Sequence, residues 1–222
     1  MLLKMKHCTL LLLIVHFSIS CSIQGLRANN NTSLKDSLVY SVSNIIAGET
    51  YRADYRSNSM LYIIRSENDT VVTRKEEGIS PVPLVFEDYN NDGYPDVRYG
   101  YNSNYYYETI LLFIPDTKEF RPIEGIDDCD YAYSKNIKGT GFYYSYSPNG
   151  CGKNNWISKL FVIKDYRIRD LGLIKYKQCE DEDKGMYVYR LTNDTEILIE
   201  KFPINESVSC ENYWIKNLKN FE

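Results

Sequence analysis

An all-β fold of consecutive antiparallel hairpins is what residues 38–202 predict, and three observations predict it. Short runs rich in Tyr, Val, Ile and Leu follow one another, turn residues separate them at even spacing, and no stretch sustains a helical period. Such spacing suits a propeller-like meander, a sandwich or a barrel, with one calcium-binding loop between strands. The expected strands are 38–43, 49–55, 60–66, 70–75, 84–87, 97–101, 106–114, 120–122, 131–137, 141–147, 157–164, 167–177, 186–191 and 196–202. Between them, Asp69, Gly78, Asn91-Asp92-Gly93, Pro115-Asp116, Gly139, Asn149-Gly150 and Asn193-Asp194 accept positive φ, fix φ or cap their own turn.

Residues 1–20 read as a signal peptide outside the fold. Lys4 and Lys6 give a positive start, residues 8–17 an apolar run too short to span a membrane, and Ser18-Ile19-Ser20 a small-residue exit. Cys21 follows directly, as in a bacterial lipoprotein signal, although Ser18 stands where Leu is usual. Cys21 is therefore the candidate lipidation site, residues 21–34 the tether, and residues 35–222 a single β-domain. Ser22, rather than Asp, points towards outer-membrane sorting in a Gram-negative host. The expected localisation is the cell envelope, facing the periplasm or the surface, with simple secretion as the alternative. The sequons at Asn30, Asn31, Asn68, Asn193 and Asn205 matter only in a eukaryotic host.

Charge and composition exclude more than they assign. The formal net charge of the chain is −4, and removing Lys4 and Lys6 with the signal makes it more negative, which argues against nucleic acid as a partner. Both histidines, His7 and His16, fall within the signal. The mature chain therefore lacks the central group of Ser-His-Asp and Cys-His catalysis, of His-ligated zinc and of histidine acid/base chemistry. No enzyme is expected.

Four cysteines follow Cys21: Cys129, Cys151, Cys179 and Cys210. In an exported chain an even number without a C-x-x-C pair favours disulfides. Cys129 and Cys151 are symmetric about Thr140, and Cys179 and Cys210 about Asp194-Thr195, so each pair could close a hairpin base. The preferred connectivity is 129–151 with 179–210. The same symmetry also relates Cys151 and Cys179 about Asp165, and so does not decide.

The chemistry-bearing segment is residues 88–96, Asp-Tyr-Asn-Asn-Asp-Gly-Tyr-Pro-Asp. Calcium takes six to eight oxygen ligands, and a chain wraps the ion when oxygen-bearing side chains alternate with residues that point away. Asp88, Asn90, Asp92 and Asp96 fit positions one, three, five and nine, and Tyr94 would give its main-chain carbonyl at position seven. Gly93 at position six permits the sharp turn. Position twelve is Tyr99 instead of a bidentate Glu, so Asp96 must coordinate directly or through water. Strand-like flanks and the prolines at 83 and 95 argue against an EF-hand or dockerin helix pair. The competing reading is a polar Asn/Asp/Gly turn, which needs only two or three such residues. The acidic runs 180–183 and 127–130 lack the alternation that wraps an ion and read as solvated turns.

Tyrosine is unusually abundant at 21 residues, many in alternate pairs: 99/101, 105/107, 131/133, 144/146 and 187/189. Each pair would share a sheet face. Cross-strand packing explains such pairs, and a recognition face for protein or sugar is the functional alternative. Tyr105 and Tyr107 are the candidates for partner binding, with a glycan as one class of partner.

Residues 85–97, the Tyr-rich strand after them, and Leu112-Phe113-Ile114-Pro115-Asp116-Thr117-Lys118-Glu119-Phe120 resemble a bacterial envelope family that joins an FG-GAP-type calcium loop to a β-fold. These are calcium-binding lipoproteins acting as immunity proteins or inhibitors of lysozyme-like peptidoglycan hydrolases. The resemblance covers roughly residues 80–191. It implies a propeller-like, lysozyme-inhibitor-like domain, structural calcium on Asp88, Asn90, Asp92, Tyr94 and Asp96, and a hydrolase as protein partner. The membrane would be reached through the lipid anchor. The hydrolase-blocking loop of that family has no evident counterpart in this chain, and the four domain cysteines are not part of the resemblance.

Overall fold

Strand after strand pairs with its successor, because each apolar run ends in residues that reverse the chain within a few positions. At Ala47-Gly48 (φ 50° and 81°) and Asp165-Tyr166 (φ 51° and 62°) both turn residues are left-handed, as a two-residue hairpin requires. The computed structural model describes residues 36–221 except 67–68, 77–83, 103–105, 151–153, 180–182, 194 and 205–208. Residues 34–222 form one compact unit. The expected signal peptide and tether, with Cys21, and also Tyr105 and Cys151 lie outside the described residues.

The protein is all-β, built of open antiparallel sheets, and its described residues close no barrel. Strands β1 (Leu38–Ile46), β2 (Glu49–Arg56), β3 (Met60–Arg65) and β4 (Asp69–Lys75) form the first sheet in that order. Strands β5 (Leu84–Glu87), β6 (Asp96–Asn102), β7 (Tyr106–Ile114) and β8 (Glu119–Pro122) form the second. The third sheet has seven strands: β9 (Lys135–Ile137), β10 (Phe142–Tyr144), β11 (Ser147–Pro148), β12 (Trp156–Lys164), β13 (Arg167–Lys177), β14 (Gly185–Thr192) and β15 (Thr195–Phe202). Its order is β15-β14-β13-β12-β10-β9, with β11 on β12.

Three apolar clusters bind these sheets into layers. Tyr51, Leu61 and Ile63 of the first sheet meet Val97, Tyr99, Leu111 and Phe113 of the second. Ile110 and Leu112, on the opposite face of β7, meet Tyr143 and Phe161 of the third. Leu160, Ile174 and Val188 on the third sheet's far face are covered by helix α1 (Cys210–Asn217) through Tyr213 and Trp214. The second sheet is thus packed against a neighbour on both faces, and the loop joining β5 to β6 lies at its rim.

The expected strand 141–147 is split into β10 and β11, and two larger departures shape the third layer. Residues 131–137 do not form one strand: Cys129–Tyr131 is a 3-10 turn capped by Asp128, and Tyr133 at φ 51° breaks the extended chain before β9. Buried Tyr131 needs a partner for its hydroxyl, and Asp170 on β13 accepts it at 2.9 Å. The second departure is α1, which no sequence expectation contained. Ser209 caps it, Glu211 and Lys216 suit its two ends, and the fully buried Trp214 indole donates to Ser158 Oγ at 2.8 Å. Gly172 makes room, since a Cβ there would lie 2.8 Å from Phe221 and 3.0 Å from Trp214.

The same departures undo the preferred disulfides. Cys129 and Cys210 are both free thiols, so neither the 129–151 nor the 179–210 bridge forms. Hairpin symmetry holds only while both arms stay extended. Cys129 has instead entered the 3-10 turn, and Cys210 opens α1 after the chain has left β15 at Phe202. Cys179 is disulfide-bonded, with its partner outside the described residues.

Candidate metal centre

The loop of residues 88–96 is pinned at buried Tyr89 and Asp96 and at half-buried Tyr94, while Asp88 and Asp92 stay exposed. Tyr89 buries its ring in the cluster between the second and third sheets, stacked on Tyr143 at 5.2 Å. Tyr94 packs its ring against Phe113 at 5.7 Å, towards the first sheet, so an ion could use only its main-chain carbonyl. Asp96 starts β6 and is completely buried, accepting from Tyr89 N–H at 2.9 Å and Phe113 N–H at 2.8 Å. Asp88, just before the first anchor, and Asn91, Asp92 and Gly93 between the anchors are exposed.

Within the loop the carboxylates fold the backbone around themselves. Asp88 accepts from Asp92 N–H and from Gly93 N–H, both at 3.0 Å. Asn90 Oδ1 accepts from Asp92 N–H at 3.1 Å, and Asp92 Oδ1 from Tyr94 N–H at 2.9 Å. Gly93 sits at φ +92°, a conformation that costs any other residue, so the glycine at position six has the physical reason the spacing implied. Each carboxylate oxygen has more than one lone pair, so these bonds leave acceptor capacity on every predicted ligand. In the present conformation Asn90 Nδ2 donates to Asp92 Oδ2 at 2.9 Å, a contact that an entering cation would replace.

Burial dominates the electrostatics of Asp96. Loss of water pushes its carboxyl up to about 7, against the opposing pull of the two backbone donors, and the Asp92 carboxylate pushes the same way. A cation in the loop would offset that cost by favouring the ionised form. The donor set consists of carboxylates, one amide and one carbonyl, all hard oxygens, and so fits calcium rather than zinc or copper. Position twelve contributes nothing, because Tyr99 is buried and its hydroxyl donates to Glu76 at 2.7 Å. The three loop carboxylates are not drawn together. Among the described residues, the group of metal-ligating side chains with ligand atoms within 4.8 Å of one another is Asp128, Cys129 and Asp130. Asp130 there is already 3.3 Å from the Lys159 ammonium.

From its rim position the loop reaches a buried polar network that sequence reasoning missed. Tyr89 Oη donates to Ser134 Oγ at 3.0 Å. Ser134 donates from N–H at 3.2 Å and from Oγ at 3.1 Å to Glu108 Oε2, a carboxylate with no exposure. Arg98 pairs with Glu108 and, at 2.7 Å, with Glu87, while its Nε is buried without a partner. Asn91 Nδ2 donates to Asn136 Oδ1 at 2.6 Å, a second tie from the loop to the third sheet. No sequence signal could have found Arg98 and Glu108, because nothing in a lone charged residue distinguishes a buried pair from a solvated one.

The tyrosine pairs divide by role. Tyr107 is half-buried opposite Tyr101, on the face turned to the first sheet, and Tyr99 and Tyr101 both donate to Glu76. Tyr131 and Tyr133 do not share a strand face: the first is buried against Asp170, whereas Tyr133 is 44% exposed and stacked on Tyr106 at 4.5 Å and 8°.

No family model matches the chain, and no curated protein does. Among solved structures, a Xanthomonas protein related to a type IV secretion system aligns with a TM-score of 0.49 and 12% identity, over 74% of this chain and 98% of that one. Similarity that low carries no functional argument.

Proposed function

We propose that the chain is an exported, lipid-anchored protein, not an enzyme, whose calcium-braced β-domain binds another protein and blocks a lysozyme-like or amidase cell-wall hydrolase. The observation that carries the brace is the position of residues 88–96. One side of the loop anchors through Tyr94 beside the first sheet, the other through Tyr89 and Asn91 to the third, with buried Asp96 between them. An ion on Asp88, Asn90, Asp92, the Tyr94 carbonyl and Asp96 would stiffen that junction. A stiff surface loses less entropy on binding, which favours tight complexes. The hydrolase as partner rests on the resemblance of the loop and the following hairpin, and the lipid anchor on Cys21 after its signal.

Calcium calorimetry on the mature chain and on Asp92→Ala tests the brace. Heat of binding is expected in the parent and a strong loss in the variant; a parent that gives no heat removes the brace. Lysozyme and amidase digestion of peptidoglycan with excess protein tests the partner, and undiminished digestion by both counts against it. Labelled palmitate should enter the parent and not Cys21→Ala when expressed in a bacterium.

A further inference from the structure

We propose that the 88–96 loop and the exposed ring of Tyr133 form one conformational unit, so that calcium in the loop fixes Tyr133 in its stacked, outward-facing pose. The inference rests on the calcium reading above and adds a regulated surface element to it. Tyr133 is a bulky residue held at φ 51°, a conformation that persists only where the surroundings over-determine it. Three contacts do so. Its ring lies flat on Tyr106, 4.5 Å away. Tyr106 in turn lies over Gly100, where a Cβ would meet its hydroxyl at 2.5 Å, so only glycine leaves room for the stack.

The third contact reaches the loop. Ser134, the next residue after Tyr133, is clamped between Glu108 on β7 and the Tyr89 hydroxyl at 3.0 Å. Tyr89 cannot shift independently of the ion site, since its N–H donates to Asp96 and its neighbour Asp88 is the first ligand position. Two residues beyond Ser134, Asn136 takes the bond from Asn91, itself at φ 59°. Residues 133–136 are thus fastened to the loop at both Ser134 and Asn136. Reorganising the loop around an ion must move these ties or tighten them.

Hydrogen exchange on the full mature chain, in excess EDTA and in excess calcium chloride, tests the coupling. Calcium is expected to slow exchange by about tenfold or more both at residues 88–96 and at 133–136, and to leave the β14–β15 hairpin unchanged. Tyr89→Phe, which keeps the ring stack and removes the hydroxyl, should keep calcium affinity within about threefold while most of the response at 133–136 disappears. Protection of 88–96 with no change at 133–136 in the parent overturns the coupling and leaves calcium binding standing. No protection at either segment, with no heat of binding, overturns both. A Tyr89→Phe protein that retains the full response at 133–136 also overturns the route through Ser134.

Discussion

Facing the first sheet, β6 and β7 present Val97, Tyr99, Leu111 and Phe113; facing the third, the same two strands present Arg98, Glu108, Ile110 and Leu112. Both faces are covered, yet the first is held mainly by apolar area and ring contacts, with Glu76 taking the Tyr99 and Tyr101 hydroxyls, whereas the second has an ion pair and a serine clamp among its apolar side chains. Apolar packing depends on volume and tolerates rearrangement. A buried acid does not, because it must find its partners, and a one-residue slip of β7 would turn Glu108 into the apolar cluster around Phe113. The polar face therefore specifies where the third sheet sits, and the 88–96 loop is attached on that side through Tyr89 and Asn91.

The largest loss should come from the apolar face. Phe113 contacts Tyr51 at 5.6 Å, Phe120 at 5.2 Å and Tyr94 at 5.7 Å, and Phe113→Ala should cost about 3–5 kcal/mol in urea unfolding. Glu108→Leu, on the other face, should cost about 3 kcal/mol, because Arg98 would stay largely buried with Glu87 as its remaining carboxylate. Adding Arg98→Met to Glu108→Leu should recover part of that loss, since an apolar pair needs no counter-charge. A double variant less stable than Glu108→Leu would mean that Arg98 stabilises the fold through Glu87 alone, and the reading of Glu108 as its required counter-charge would fail. Ser209→Ala, remote from both faces, removes the α1 cap and should cost about 0.5–1 kcal/mol. Should it exceed Glu108→Leu in the same assay, the helix and not the polar face would be the critical element of the third layer.

Most strands could be read from the chain because their signal is local. Residues 84–87, 106–114 and 167–177 carry β-rich runs between turn residues, and the structure has strands over those same residues. Residues 131–137 could not be read that way: the stretch scores as strand, but Tyr131 turns aside to reach Asp170, 39 positions away. The ligand spacing of the loop was equally local, down to the left-handed Gly93. Ser134, Glu108 and Arg98 carry no motif and gain their meaning from one another.

Sequence by itself determined the all-β class, the hairpin character of the chain and the oxygen-rich loop, since periodicity, turn chemistry and ligand alternation act within a few residues. Tertiary structure decided which cysteines stay apart, that Trp214 covers the third sheet, and that the loop meets Tyr133 through Tyr89 and Ser134. Those outcomes depend on buried polar atoms finding partners tens of positions away, a constraint that exists only once the layers are packed.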